Sequence, residues 1–68
     1  MTPIRFVFMW EIRLMNDRMG FQKHFRPEGM NHRDALERAY GELAEGGYDP
    51  EDFSVVELQR KNIVRRAA

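Results

Sequence analysis

The chain has 68 residues, a length that predicts one domain spanning residues 1–68. Its 11 basic and 11 acidic residues cancel, which argues against a polyanion binder that relies on bulk charge. The absence of cysteine excludes disulfides and cysteine-ligated zinc, and it fits a reducing compartment. No apolar run approaches the roughly 18 residues that span a bilayer, and the start lacks a signal-peptide pattern, so the sequence predicts a cytoplasmic protein.

Residues 4–15 alternate between two kinds of side chain with a period of two. This pattern, rich in β-branched and aromatic residues, predicts a half-buried strand. The apolar face of the strand consists of Ile4, Phe6, Phe8, Trp10, Ile12 and Leu14. The other face consists of Arg5, Val7, Met9, Glu11 and Arg13. Because the first face is so apolar, we expect this strand to lie at the centre of the sheet and to form the spine of the core.

A hairpin and then a helix are predicted next. Residues 16–20 have the composition of a turn, and residues 21–26 form a returning edge strand that ends before Pro27. Asn31 is expected to cap a helix by accepting a hydrogen bond from the amide of Asp34, and the glycines at 46 and 47 stop it. The apolar stripe of the helix is Ala35, Leu36, Ala39, Tyr40 and Leu43. Gly41 faces away from this stripe and weakens the helix by about 1 kcal/mol relative to alanine.

The last strand is predicted over residues 53–60, after a turn at residues 48–52. Val56 and Leu58 are expected to face the helix. The opposite side of this strand is expected to present Phe53, Val55, Glu57 and Gln59. Residues 62–68 are expected to form a flexible tail, although Ile63 and Val64 are able to extend the strand.

These elements predict an α+β fold with the order ββαβ. A right-handed crossover through the helix makes the second and third predicted strands parallel to each other. The third strand then lies beside the first and antiparallel to it. The result is a three-stranded, mainly antiparallel sheet with the order 2-1-3, with one helix on one face and no cover on the other.

No catalytic or metal-binding constellation can be assembled from the sequence. Ser54 is the only serine and no histidine lies near it in the chain, which argues against a serine triad. The two histidines, His24 and His32, match no metal-ligand spacing. The acidic turn at residues 49–52 lacks the ligand spacing and central glycine of a calcium-binding loop. The sequence therefore predicts a non-enzymatic protein without a cofactor or a metal.

Two surfaces are candidates for partner binding. The uncovered sheet face is expected to present an apolar centre rimmed by charges, formed by Arg5, Val7, Met9, Arg13, Phe53 and Val55. A cluster of acids is expected to mimic a nucleic-acid backbone and to occupy a basic groove on another protein: Glu42, Glu45, Asp49, Glu51 and Asp52. Ordinary solvated faces also account for both patterns. A thin sheet of this kind further favours a homodimer through the open face or an edge.

The order of the elements and the segment Asp34-Ala35…Gly46-Gly47-Tyr48-Asp49-Pro50 resemble small ββαβ proteins encoded by bacteriophages and mobile elements, including anti-CRISPR proteins. The resemblance implies a protein-binding inhibitor that sterically blocks a host defence complex, such as a CRISPR surveillance complex. It also implies that the protein acts in the host cytoplasm. No functional residue is carried over from it.

Two other functions also fit the sequence. The first is nucleic-acid binding by the open sheet face, with phosphate contacts from Arg5, Arg13, His24 and Arg26 and from the arginines near the end of the chain. For base stacking on that face, Phe53 is the sole candidate. The second is a structural, assembly or regulatory subunit of a phage, which would share the architecture and differ in its partner.

Overall fold

The computed structural model describes residues 5–67, with side chains up to residue 65. The elements are β1 (Arg5–Asn16), β2 (Gln22–Phe25), β3 (Glu28–Gly29), α1 (His32–Glu45), a 3-10 turn (Pro50–Asp52) and β4 (Phe53–Ala67). This order confirms the predicted α+β class with one helix. The predicted inward position of Ile4 lies outside the described residues.

The sheet is antiparallel and is built around β1. Strands β2 and β3 pair with one edge of β1, and β4 pairs with the other edge, which confirms the predicted order 2-1-3. The interruption at Pro27 is short, because the amide of Trp10 donates to the Pro27 carbonyl at 2.9 Å and pairing resumes at β3. The sheet therefore contains a fourth, two-residue strand that the sequence does not predict.

The core lies where α1 crosses β1. Its buried residues are Trp10, Ile12, Leu14, Ala35, Ala39, Leu43 and Phe53. The indole nitrogen of Trp10 donates to the Gly29 carbonyl at 2.9 Å, which fixes the ring beneath the start of the helix. A Cβ atom on Gly29 would lie 2.9 Å from the backbone nitrogen of Ala35, so the strand and helix can approach here only because residue 29 is glycine. The predicted burial of residues 10, 12 and 14 is confirmed, whereas the predicted burial of Phe6 is wrong, because its side chain is 43% exposed.

The ends of α1 follow the sequence signals closely. The Asn31 side chain accepts from the amide of Asp34 at 2.9 Å, as predicted. At the other end, Gly47 has a φ of 91°, a value that favours glycine, and its amide donates to the Ala44 carbonyl at 3.0 Å. These two caps limit the helix to 14 residues.

Strand β4 differs from its prediction in which side chains face the helix. Its register against β1 pairs Phe53 with Asn16 and Leu58 with Ile12, but it shifts by one residue between Arg13 and Leu14. The extra residue in β4 reverses the alternation, since directly opposed residues share a face. Phe53 is therefore buried in the core at 5% exposure, whereas Val56 is 42% exposed. The prediction that Phe53 and Val55 lie on the open face is wrong, as is the prediction that Val56 faces the helix.

The length of β4 is a second correction. The sequence predicts an end at Arg60, but the strand continues to Ala67. It continues because the first residues of β1 offer free backbone partners, and the register pairs Phe8 with Ile63 and Val7 with Arg65. Flexibility of residues 62–68 stays a prediction.

The molecule is an elongated body of 47 × 19 × 14 Å. At about 1.5 Å per residue, α1 is about 21 Å long. At about 3.3 Å per residue, β1 is about 40 Å long. The helix starts close to the pair formed by Phe8 and Gly29 and runs away from the first residues of β1. The sheet therefore has a proximal half beneath the helix and a distal ribbon, formed by residues 5–8 of β1 and 63–67 of β4. Among residues 5–67, no other element covers the helix side of the ribbon, so we call it bare.

Candidate functional site

An apolar surface lies on the helix-side face of the distal ribbon. We call it the distal patch and define it as Phe6, Phe8, Met30 and Ile63. Phe6 is 43% exposed, Met30 38% and Ile63 57%, whereas Phe8 is half-buried. Phe8 and Ile63 are paired across the strands, and Met30 directly precedes the helix cap. With Arg5 and Asn31, the residues Phe6, Phe8 and Met30 line a shallow depression of about 390 Å³.

The distal patch is bordered by positive charge. The guanidinium carbon of Arg60 lies 4.8 Å from the centre of the Phe8 ring, a cation–π contact that also orders the arginine. Arg5 is exposed and lines the same depression as Phe6. Aromatic residues, methionine and arginine are the types enriched at protein interfaces. The composition of the distal patch therefore matches that of a docking surface.

The opposite, open face of the sheet is a charged surface. Three ion pairs cross its strands: Arg13 with Glu57 at 2.9 Å, Lys61 with Glu11 at 3.5 Å, and Arg65 with Glu28 at 3.2 Å. These groups are partly or largely exposed, so the pairs mark a hydrated face and contribute little to stability.

The apolar centre predicted for that open face does not form. Val7 is buried at 8% exposure, Phe53 lies in the core, and Val55 pairs with Leu14 on the helix side. Met9 is the one of the four that stays exposed there, at 36%. Of the two predicted rim arginines, Arg5 lies on the distal ribbon, and Arg13 is held by Glu57.

The predicted acidic residues lie at the far end of the molecule from the distal ribbon. Glu42 and Glu45 lie on the last turns of α1, and Asp49, Glu51 and Asp52 lie in the turn that follows. The Asp49 carboxylate accepts from the Glu51 amide at 3.0 Å, so it caps this turn. Nearby, Asp17 accepts from the Ser54 hydroxyl at 2.8 Å. Ser54 therefore anchors the hairpin turn to β4.

Gly41 lies on the outward side of α1, roughly opposite the buried stripe of Ala35, Ala39 and Leu43. A Cβ atom added here would meet no atom of the described residues within 4 Å. The residue lines a groove of about 460 Å³ with Pro27, Glu28, Arg38, Glu42 and Glu45. The packing of this chain therefore gives no reason for a glycine at the centre of the helix.

Residues 5–67 contain no group of three or more histidine or acidic side chains arranged to hold a metal ion. His24 and His32 are both exposed and lie on different elements. Within the same range, no helix has the length and apolar character needed to cross a membrane.

No family model, curated protein or solved structure matches this chain. What the chain binds must therefore be argued from its own surfaces.

The distal patch is the feature that sequence reasoning missed, although the chain carries two signals for it. A helix capped at Asn31 and stopped at Gly46 is about half as long as the strand beneath it, given the rises of the two structures. Ile63 and Val64 also continue the β-prone character of the last strand beyond Arg60.

Proposed function

We propose that this protein is a non-enzymatic protein-binding module that docks through the distal patch. The observation that carries this proposal is that, among residues 5–67, one sheet face is covered by α1 at one end and bare at the other. Phe6, Met30 and Ile63 are left in solvent there, where their burial against a partner would be favourable. The arginines around them add the polar rim that interfaces have.

We further propose that the module is a phage-type inhibitor of the anti-CRISPR kind, which sterically blocks a host defence complex in the host cytoplasm. Small size and the ββαβ order support this reading. The acidic end supports it as well, because exposed Glu42, Glu45 and Glu51 offer a nucleic-acid-like surface to a basic groove.

Nucleic-acid binding is the second candidate, and one contact favours it. Arg60 stacked on Phe8, beside exposed Phe6, is an arrangement that holds a base and a phosphate in single-strand binding proteins. Phe53 no longer supports this function because it is buried in the core. Ile63 and Met30 favour a protein partner, since neither side chain offers a group that binds phosphate or stacks on a base.

The test compares Ile63→Asp with Asn62→Asp. The neighbouring Asn62 is exposed and lies beside Met9, Glu11 and Lys61, outside the distal patch, so it is a matched control for the added charge. Each tagged variant is used to capture proteins from bacteria that carry a CRISPR surveillance complex, and interference with plasmid clearance is measured in the same strain.

The wild-type protein and Asn62→Asp should retain the same partner and the same inhibition, whereas Ile63→Asp should lose both. Circular dichroism should show that all three are folded. Equal capture by all three proteins would contradict docking through the distal patch. Salt-sensitive binding of single-stranded oligonucleotides that is lost in Ile63→Asp would favour the second candidate.

A further inference from the structure

We propose that the distal patch docks on the outward face of α1 in a second copy of this chain, so that two antiparallel copies interlock. This inference rests on the proposed function and names a second copy of the chain as the partner that the distal patch contacts directly. The inhibitor is then a dimer, which meets the host complex through a surface outside the patch and captures it only when dimeric.

The first argument is the step in the thickness of the molecule. In the part of the chain that the structure describes, the proximal half has two layers, sheet and helix, whereas the distal ribbon has the sheet alone. When two copies face each other in opposite directions, the helix of each lies over the bare ribbon of the other. A helix is about 10 Å across, so it fills the space between the two sheets. Both copies then bury the apolar face that a sheet must cover.

The second argument is charge complementarity. Helix α1 carries four acids (Asp34, Glu37, Glu42, Glu45) against two bases (Arg33, Arg38). On the helix side of the ribbon, Arg60 lies over the Phe8 ring and Arg5 lines the same depression as Phe6. The groove beside Gly41 is lined by Glu42 and Glu45. The antiparallel arrangement places the two arginines of one copy on the acidic helix of the other, twice. Packing patch against patch would instead oppose like charges, which is unfavourable.

The third argument is Gly41. A glycine inside a helix costs about 1 kcal/mol relative to alanine, and here the fold of the single chain gives nothing in return. Exposed Ala44 lies one turn further along the same side. Because residue 41 has no side chain and residue 44 has only a methyl group, the exposed ring of Phe6 from the second copy can approach the helix backbone closely.

The symmetry of this arrangement makes a specific test possible. Each dimer contains two equal contacts, in which the patch of one copy meets the helix of the other. In a dimer of the Gly41→Gln variant, the helix side of both contacts is disrupted. In a dimer of the Ile63→Asp variant, the patch side of both contacts is disrupted. When the two variants are mixed, one of the two contacts joins a normal patch to a normal helix.

Sedimentation velocity from micromolar to millimolar protein, at low and high salt, measures the dissociation constant. We expect the wild-type dimer to weaken with salt, and each variant to dissociate at least about tenfold more readily, as for the loss of a central interface contact. The mixture should associate more tightly than either variant alone, and Asn62→Asp should behave as wild type. Gly41→Gln should remain folded, because glutamine favours the helix and position 41 has space.

A wild-type protein that is monomeric at millimolar concentration overturns the inference. The inference is also overturned if Ile63→Asp dissociates the dimer and Gly41→Gln has no effect, because the two patches would then pack against each other. If the chain is monomeric and Ile63→Asp still loses its captured partner, the dimer is refuted and the proposed function stands. If Ile63→Asp changes neither self-association nor capture, the dimer and the docking through the distal patch are both refuted.

Discussion

The two halves of β1 have the same alternating pattern but different surroundings. Ile12 and Leu14 in the proximal half are completely buried, whereas Phe6 in the distal half is 43% exposed. All three point to the same side of one strand. The difference arises because α1 begins near Phe8 and runs away from Phe6, so it does not cover the first residues of β1. An amphipathic pattern therefore indicates which face of a strand is apolar, and the length of the neighbouring layer decides how much of that face is buried.

The largest expected contrast is between shortening a side chain in the proximal half and shortening one in the distal patch. Leu14→Ala should lower the free energy of unfolding by about 2–5 kcal/mol, since it removes buried methyl groups and leaves a cavity. Ile63→Ala should cost about 1 kcal/mol or less, because that side chain is 57% exposed. Urea unfolding of both variants measures the contrast, and equal losses would mean that the distal half is packed as tightly as the proximal half.

Two glycines should respond in opposite directions. Gly29→Ala should destabilise the fold by about 1–3 kcal/mol, because its Cβ would meet the backbone of Ala35 at 2.9 Å. Gly41→Ala should stabilise the single chain by about 0.5–1 kcal/mol, since its site is open and alanine favours the helix. Both are measured by urea unfolding at low protein concentration and high salt. A loss of stability in Gly41→Ala would show that this glycine has a role inside the fold.

The boundary between the halves should loosen when the helix cap is removed. Asn31→Ala should cost about 1 kcal/mol, because the amide of Asp34 loses its acceptor. Trp10 is the sole tryptophan and lies beneath this end of the helix, so its fluorescence should shift to the red as the first turn frays. An unchanged spectrum together with unchanged stability would contradict the role of Asn31.

The smallest effect should come from the open face. Glu57→Gln removes the partner of Arg13, but the Glu57 and Arg13 side chains are 27% and 36% exposed, so the cost should be about 0.5 kcal/mol and should fall with salt. Thermal unfolding at low and high salt measures it. A loss of several kcal/mol that is insensitive to salt would show a desolvated pair.

Local signals in the sequence are sufficient for the elements and their order. The alternation of β1, the Asn31 cap and the glycines at the end of α1 act over a few residues. The two caps occur as predicted, and the alternation of burial occurs as predicted from Trp10 to Leu14. The phase of β4 cannot be read from local signals, because the register shift near Val56 is set by pairing with β1. That one shift moves Phe53 from the predicted open face to the core and removes Phe53 and Val55 from the predicted apolar centre.

The candidate site depends on the same non-local feature. Alternation alone predicts that Phe6 belongs to the core, and the end predicted for the last strand leaves Ile63 in the tail. Their common exposure follows instead from the extension of β4 along β1 and from the shortness of α1. Sequence signals predict the lengths of α1 and β1. The difference between these lengths determines which residues of β1 lie beneath the helix.

The absence of cysteine allows the covered and bare halves to be tested directly. Single cysteines are introduced at Ile63 in the distal patch and at Ala39 in the core, and their reaction with a thiol reagent is followed at micromolar protein and high salt. The Ile63→Cys thiol should react at nearly the rate of a denatured control, and the Ala39→Cys thiol should be strongly protected. Equal protection of both thiols would contradict a sheet face that is covered at one end and bare at the other.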